Sequence, residues 1–415
     1  MSDATRAQAW RVALAGLLAL AVAMGIGRFA FTPLLPMMLR DAELTLAGGA
    51  ALASANYLGY FVGALLCMRW RVEPATTMRA GLVATVLLTL AMGAHSVLGA
   101  LGALGALGAL GSLGLRGEPA TASASLMPLW TLLRGLAGVA SAGVFVFTSG
   151  WCLQRLAQLG HVQLGGIIFC GPGVGIAITG LAAGGMTAHG WPAAWGWLSF
   201  GVLAAVMVAL LWSTVRGDAA TARRQRQALA LGGETIGLTL AYGIAGFGYI
   251  ITATFLPVMA RIALPGSAWP DYFWPIFGAA VALGALLSTR VGMAHDNRRL
   301  LTGCYVLQAA AVMLAVVWPT VAGFALSSLL LGVPFTAITL FAMREARRLQ
   351  SGDAAALMGL MTATYGAGQI AGPPLATALV HRTGSFAPSL WVAAAALLIG
   401  AMGYDQLRRR WPLSG

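Results

Sequence analysis

The chain has 415 residues, 59% of them hydrophobic and only 9% charged. Charged residues make up about a quarter of an ordinary soluble domain, so this balance, with a mean hydropathy of +0.82, excludes one. The net charge of +13 is carried entirely by arginine, and the arginines cluster between apolar blocks rather than on one face. That distribution excludes a nucleic-acid surface.

Apolar blocks of about 20 residues, long enough to cross a bilayer, recur along the chain. They are continuous rather than alternating, which argues for membrane helices and against a β-barrel. The first block follows Arg6 and Arg11 and imitates an export signal. Its apolar character continues past Arg28 to Leu39, so it reads as a first membrane span and not as a cleaved leader. In chain order the expected spans are 11–38, 48–68, 78–98, 126–149, 164–187, 192–214, 236–262, 269–289, 299–319, 321–343, 357–380 and 388–407. With both termini cytoplasmic, nineteen arginines fall inside and four outside, so the positive-inside bias selects that orientation in a bacterial inner membrane. Cys67, Cys152, Cys170 and Cys304 lie in or beside spans, form no CxxC pair, and read as small core residues.

Two segments stand apart from the spans. "GALGALGALGALGSLGLRG" (99–117) has glycine at every third position but lacks the proline of collagen. Each glycine disfavours a helix by roughly 1 kcal/mol relative to alanine. A flexible extracytoplasmic insertion near 99–125 is expected, with a close-packed helical extension of the third span as the alternative. The longest polar segment, "TVRGDAATARRQRQALALGGETIG" (214–237), separates an N-terminal six-helix half, 1–214, from a C-terminal half, 236–415. Residues 215–235 are expected to form a cytoplasmic linker.

The halves are related. Shifted by 221 residues, "GIGRFAFTPLLPMMLR" (25–40) falls on "GFGYIITATFLPVMAR" (246–261), and Gly25, Gly27, Leu35, Pro36, Met38 and Arg40 each meet an identical residue. The same shift places "GALLCMR" (63–69) on "GALLSTR" (284–290). Smaller offsets then bring Gly138 onto Gly332 and the Gly-Pro pair at 171–172 onto that at 372–373.

Twelve spans in two parallel six-span halves is the arrangement of major facilitator transporters. "MGIGRFAFTPLLPMM" (24–38) and "ASANYLGYFVGALL" (53–66) resemble the YbfB/YjiJ branch of that superfamily, and the resemblance covers nearly the whole chain outside the glycine-rich insertion. It implies an all-α integral membrane fold of twelve transmembrane helices in two pseudo-symmetric halves. It also implies alternating access around a central site between them. No nucleotide loop, metal-ligand spacing or nucleophile triad occurs, so no enzyme, cofactor or metal is expected.

Arg28 is the first residue to suggest chemistry. A guanidinium cannot deprotonate, and a central arginine costs roughly 2.5–3.5 kcal/mol to insert. Arg40 and Arg11 bracket it at about 18 and 25 Å along a helix, too far for its side chain to reach either surface. Two roles remain open: an anion anchor in a transport site, or a packing charge satisfied by helix-end carbonyls or polar neighbours. Gly25 and Gly27 allow close approach of another backbone or a ligand, and Pro33 and Pro36 suggest a kinked, mobile end.

Arg134, in "LLRGLAGVASAG" (132–143), resembles the superfamily's fourth-span motif of an arginine followed four residues later by glycine. The resemblance implies a role in proton or substrate handling; helix packing is the alternative. Arg134, Gly138, Ser141 and Phe145 share one helical face. None of the twelve acidic residues sits mid-span, and Asp271, at the outer start of span eight, comes nearest. No buried proton-binding acid is evident, which favours a substrate that supplies the counter-charge.

Asn56 and Tyr60 share a face of span two, Tyr249 is the repeat-mate of Arg28, and Tyr365 and Gln369 share a face of span eleven. Each reads either as substrate-binding or as helix-packing glue. Gly171 with Pro172 and Gly372 with Pro373 resemble the fifth-span motif associated with exporters, although the first copy lacks the closing glycine pair. Their physical role is a bend and tight packing. Cys67 and Ser288 replace the acid of the family's loop motif, leaving Arg69 and Arg290 as candidate latches, with Asp296 a candidate partner.

The sequence therefore points to a secondary transporter of a small organic anion, acting as a monomer in the lipid bilayer without nucleic acid. Export of hydrophobic or cationic compounds is the alternative, and a non-transporting membrane sensor a more distant one.

Overall fold

The computed structural model describes residues 3–41, 43–69, 73–109, 120–215, 232–292, 295–350 and 354–412. In chain order these form α1 (Asp3–Leu20), a π-helical turn (Ala21–Ile26), α2 (Phe31–Arg40), α3 (Leu46–Arg69), α4 (Pro74–Ala109), α5 (Ala120–Gln158), α6 (Gly165–Ile168), α7 (Gly171–Ala188), α8 (Ala193–Trp212), α9 (Gly233–Ala263), α10 (Pro270–Arg290), α11 (Asn297–Val317), α12 (Val321–Leu349), α13 (Ala355–Thr383) and α14 (Ala387–Arg410). Eleven segments are long and apolar enough to cross a membrane, with α1–α2 and α6–α7 each counting as one. Helix α13, packed on α9 and α3, completes the twelve. The end of the bundle that carries the start of α1 and the close of α14 is called the near end below; the opposite one is the far end.

The halves pack alike. Helix α3 lies on α5, and its repeat-mate α10 lies on α12. Glycines set these crossings. A Cβ at Gly138 would overlap the Asn56 carbonyl of α3, and one at Gly332 would meet the Phe277 carbonyl of α10. The halves join through α3 on α13 and, with roles exchanged, α10 on α7, while α2 packs on α9 at the far end. The pseudo-two-fold axis is visible in one bond: Thr32 Oγ1 donates to the carbonyl of Ala253, its own repeat-mate, at 3.0 Å. A second symmetric pair lies at the near end. Arg79, early in α4, donates to the Trp212 carbonyl at the end of α8, and Arg298, early in α11, donates to the Trp411 carbonyl just past α14.

Four expectations change. Span one is broken rather than continuous, and the break, at 21–30, precedes Pro33 and Pro36. Pro33 is the third residue of α2, where its missing N–H leaves no bond unmade. Helix α4 continues to Ala109, so the glycine-rich stretch is helical that far; residues 110–119 lie outside the described residues. Helices α5 and α12 overrun their expected ends, reaching Gln158 and Leu349. Helix α9 begins at Gly233, inside the expected linker, of which residues 216–231 lie outside the described residues.

The paired Gly-Pro elements also differ. Gly171 and Pro172 open α7 after the break that follows α6, whereas Gly372 and Pro373 lie within an unbroken α13. In both places the glycine admits a close neighbour, the Leu17 carbonyl at Gly171 and the Ile250 side chain at Gly372.

Candidate functional site

The break in span one creates the site. From Ala21 to Ile26 the helix widens to π geometry, with Gly27 N–H reaching Val22 O and Phe29 N–H reaching Met24 O. Thr32 N–H then turns to Phe29 O. The carbonyls of Gly27 and Arg28 are taken by Arg134, whose Nη1 and Nη2 donate to them at 3.1 and 3.0 Å. One helical turn away Ser141 Oγ donates to Ala23 O at 2.8 Å. The face of α5 that carries Arg134, Gly138 and Ser141 is therefore a brace against the broken span. Asn56 completes it from α3, its Nδ2 donating to the Arg134 carbonyl at 3.0 Å. Burial makes these bonds necessary: an unpaired backbone carbonyl inside a membrane protein costs several kcal/mol.

Arg28 projects from the break to the boundary between halves and is 3% exposed. Its Nη2 donates to Gln369 Oε1 of α13 at 2.6 Å, and Gln369 Nε2 donates to the Tyr249 hydroxyl of α9. Arg28 and its repeat-mate Tyr249 are thus linked through one amide. The Tyr60 ring lies 4.0 Å from the guanidinium carbon, with the rings of Tyr57 and Phe29 at 5.2 and 5.3 Å, distances at which an aromatic face attracts a cation. The Arg28 Nε has no hydrogen-bond partner. Among the described residues neither Arg28 nor Arg134 has a carboxylate partner.

Aromatic rings complete the surroundings. Tyr365 stacks on Tyr242 at 4.9 Å and on Tyr249 at 5.9 Å, and Phe335 of α12 stands edge-on to Tyr249 at 5.1 Å. On the far side the site is closed: Thr32 bonds Ala253, the Tyr57 hydroxyl meets Thr254 Oγ1 at 2.9 Å, and every residue of 21–35 and 248–260 is buried. Tyr60, Phe335 and Tyr365 retain partial exposure.

Of the residues singled out in the sequence, Arg28, Tyr60, Tyr249, Tyr365 and Gln369 come together at the boundary. Arg134 and Asn56 stand behind them, engaged with backbone. Arg290 is exposed at the near end, and Asp296 is engaged by Arg298 rather than by Arg290. Arg69 ends α3, but its side chain lies outside the described residues.

Sequence reasoning missed three features. Tyr242 lies seven residues before Tyr249, so helical spacing alone places both on one face. Tyr57 and Phe335 carry no comparable signal. The third is a buried charge cluster at the near end. Arg298, 1% exposed, pairs with Glu234 of α9 at 3.1 Å and with Asp296 at 3.1 Å, and lies 3.5 Å from Glu345 of α12. Arg348 pairs with Glu345 at 2.8 Å and with Glu234. A buried acid therefore exists, with arginine partners, two residues past the expected end of span ten.

Asp296 caps α11 by accepting the Arg298 N–H. Burial works against its charge, but hydrogen bonds from the Arg298 side chain and backbone, with the charges of Arg298 and Arg348, hold its carboxyl below the usual range.

No curated protein matches the chain. The family model described as the uncharacterised MFS-type transporter YbfB matches residues 20–112 and 117–403, which include the break in the first span with α2, the Arg134 brace and the aromatic boundary site. The chain belongs to this family of major facilitator membrane transporters.

Proposed function

We propose that this transporter moves a small organic anion across the bacterial inner membrane by alternating access, with Arg28 as the anchor. The observation that carries the reading is a permanent cation, buried between the halves, that has no carboxylate partner among the described residues and that hydrogen-bonds across to Gln369 of the other half. An entering carboxylate competes with the Gln369 amide oxygen for Arg28, because it brings the opposite charge that the neutral amide lacks and can accept two parallel guanidinium bonds where the amide oxygen accepts one. The bond between halves then passes through the substrate, so occupancy bears directly on how the halves sit.

The closed far end and the partly exposed Tyr60, Phe335 and Tyr365 support access from the near end. The arginine distribution supports a cytoplasmic near end. In this reading Arg134 and Asn56 are positioning residues that hold the Arg28 backbone, while Tyr60, Tyr249, Tyr365 and Gln369 surround the substrate.

Equilibrium binding of a panel of organic anions to the purified chain tests the reading. Losing one partner of a buried charged hydrogen bond costs about 2–5 kcal/mol, so Arg28→Gln is expected to weaken binding at least about 30-fold. Arg28→Lys should retain part of the affinity. Equal binding by parent and Arg28→Gln for every accepted anion would remove Arg28 from the site.

A further inference from the structure

We infer that the substrate is a monocarboxylate with a flat, conjugated body, its carboxylate on Arg28 and its plane against the rings of Tyr60, Tyr249, Tyr365 and Phe335. This rests on the anion reading above and narrows it.

The charge follows from what each arginine is already doing. Arg134 directs both terminal nitrogens to the carbonyls of Gly27 and Arg28 and stands behind them; the Nε of each arginine is unbonded, so Arg28 differs in presenting a terminal nitrogen to the boundary, where it meets Gln369. One guanidinium presented to the boundary pairs with one carboxylate, so a second carboxylate on the substrate would enter an aromatic wall with no guanidinium nitrogen to bond it. Amino acids fit no better: their ammonium needs a carboxylate, and none of the described residues brings one to Arg28.

The shape follows from the rings. Tyr242, Tyr365 and Tyr249 form a near-parallel series, with interplanar angles of 27° and 26°. Phe335 stands at 74° to Tyr249, edge-on. Offset stacking and edge-to-face contact are the two favoured arrangements for a further aromatic ring. Tyr60, Phe335 and Tyr365, the partly exposed members, come from three different helices and offer such a ring its faces and edges. The polar groups are mostly hydroxyls already engaged. The Tyr57 hydroxyl is held by Thr254, the Tyr242 hydroxyl by Thr339, and the Tyr249 hydroxyl and the Gln369 amide are held by each other. That set suits one carboxylate and does not suit a polyhydroxylated sugar acid, whose hydroxyls would each need a partner.

The test uses the full chain in lipid nanodiscs and calorimetric binding of four probes: benzoate, cyclohexanecarboxylate, terephthalate and phenylalanine. Benzoate is expected to bind about 2- to 10-fold tighter than cyclohexanecarboxylate, its saturated counterpart of equal charge. Terephthalate and phenylalanine should bind at least tenfold more weakly than benzoate. Tyr365→Leu should bring the benzoate-to-cyclohexanecarboxylate preference to within about twofold, and the parent panel stands alone if that variant does not fold. Cyclohexanecarboxylate or terephthalate binding as tightly as benzoate, with Arg28→Gln abolishing both, would overturn the flat-monocarboxylate inference and leave the anion reading intact. Binding of no carboxylate, or binding insensitive to Arg28→Gln, would overturn both.

Discussion

Arg28 and Arg298 are both buried, at 3% and 1% exposure, yet they are satisfied in opposite ways. Arg298 is surrounded by Glu234, Asp296 and Glu345 and also donates to the Trp411 carbonyl. Those partners come from the starts of α9 and α11, the last turns of α12 and the residue after α14, so the cluster ties four helix ends of one half together. Arg28 has a neutral amide, aromatic faces and an unbonded Nε. A permanent cation whose charge is cancelled internally holds structure. One whose charge is left over, at the boundary between the halves, can pair with a charge brought from outside. The near end of the C-terminal half and the centre of the bundle thus differ in how buried charge is compensated, and the proposed function rests on that difference.

The largest expected effect follows at the near end. Arg298→Ala would leave three carboxylates facing one another with Arg348 as the remaining cation. Breaking a buried ion pair by removing one partner costs about 3–5 kcal/mol, and a loss of that size is expected in denaturant unfolding of the purified chain. A change below about 1 kcal/mol would mean that the cluster is solvated and that the contrast with Arg28 is one of position only.

Arg28→Met should move stability the other way. The central charge costs roughly 2.5–3.5 kcal/mol to insert, whereas its hydrogen bond to Gln369, made by a charged donor, returns about 1.5–3 kcal/mol. The variant is expected to gain up to about 2 kcal/mol in unfolding measurements while anion binding is lost. A destabilised Arg28→Met would show that the guanidinium holds the halves together, and would favour the packing role left open by the sequence.

The same contrast explains what was legible beforehand. Span count, antiparallel order and the internal repeat are written in hydrophobic runs and in Gly25, Pro36 and Arg40 with their mates, because membrane burial and close crossings leave few residue choices. The Thr32–Ala253 bond joins two positions one repeat shift apart, but the repeat alone does not bring them together. Arg28 was visible because a lone charge in an apolar run has few explanations. The break at 21–30 was not visible, since its cause is tertiary: Arg134 and Ser141, more than a hundred residues away, supply the partners that let the helix open. For the same reason the sequence did not separate Arg28, which faces the boundary, from Arg134, which faces the backbone. Arg298 looked like a loop charge because Glu234 and Glu345 lie in segments distant from it in sequence, and Glu345 lies two residues past the expected end of span ten, in the turns by which α12 overruns it.

The smallest effect sharpens the near-end side of the comparison. Asp296 plays two parts, helix cap and counter-ion. Asp296→Asn separates them, because asparagine caps a helix as well as aspartate does but carries no charge. An unfolded aspartate titrates near about 3.9, and the folded one lies lower. The charge therefore stabilises the fold above about pH 4, and the contribution disappears as pH falls through the folded value. Asp296 faces Arg298 on its own helix and Arg348 from α12, and neither cation titrates in this range. At pH 7 the parent should exceed Asp296→Asn in stability by about 1 kcal/mol or less, the range of a partly exposed pair. The gap should hold from pH 7 to about pH 5 and close below about pH 4. A gap that persists at pH 3, read from thermal unfolding of both proteins across that range, would assign the difference to the cap geometry and not to the charge.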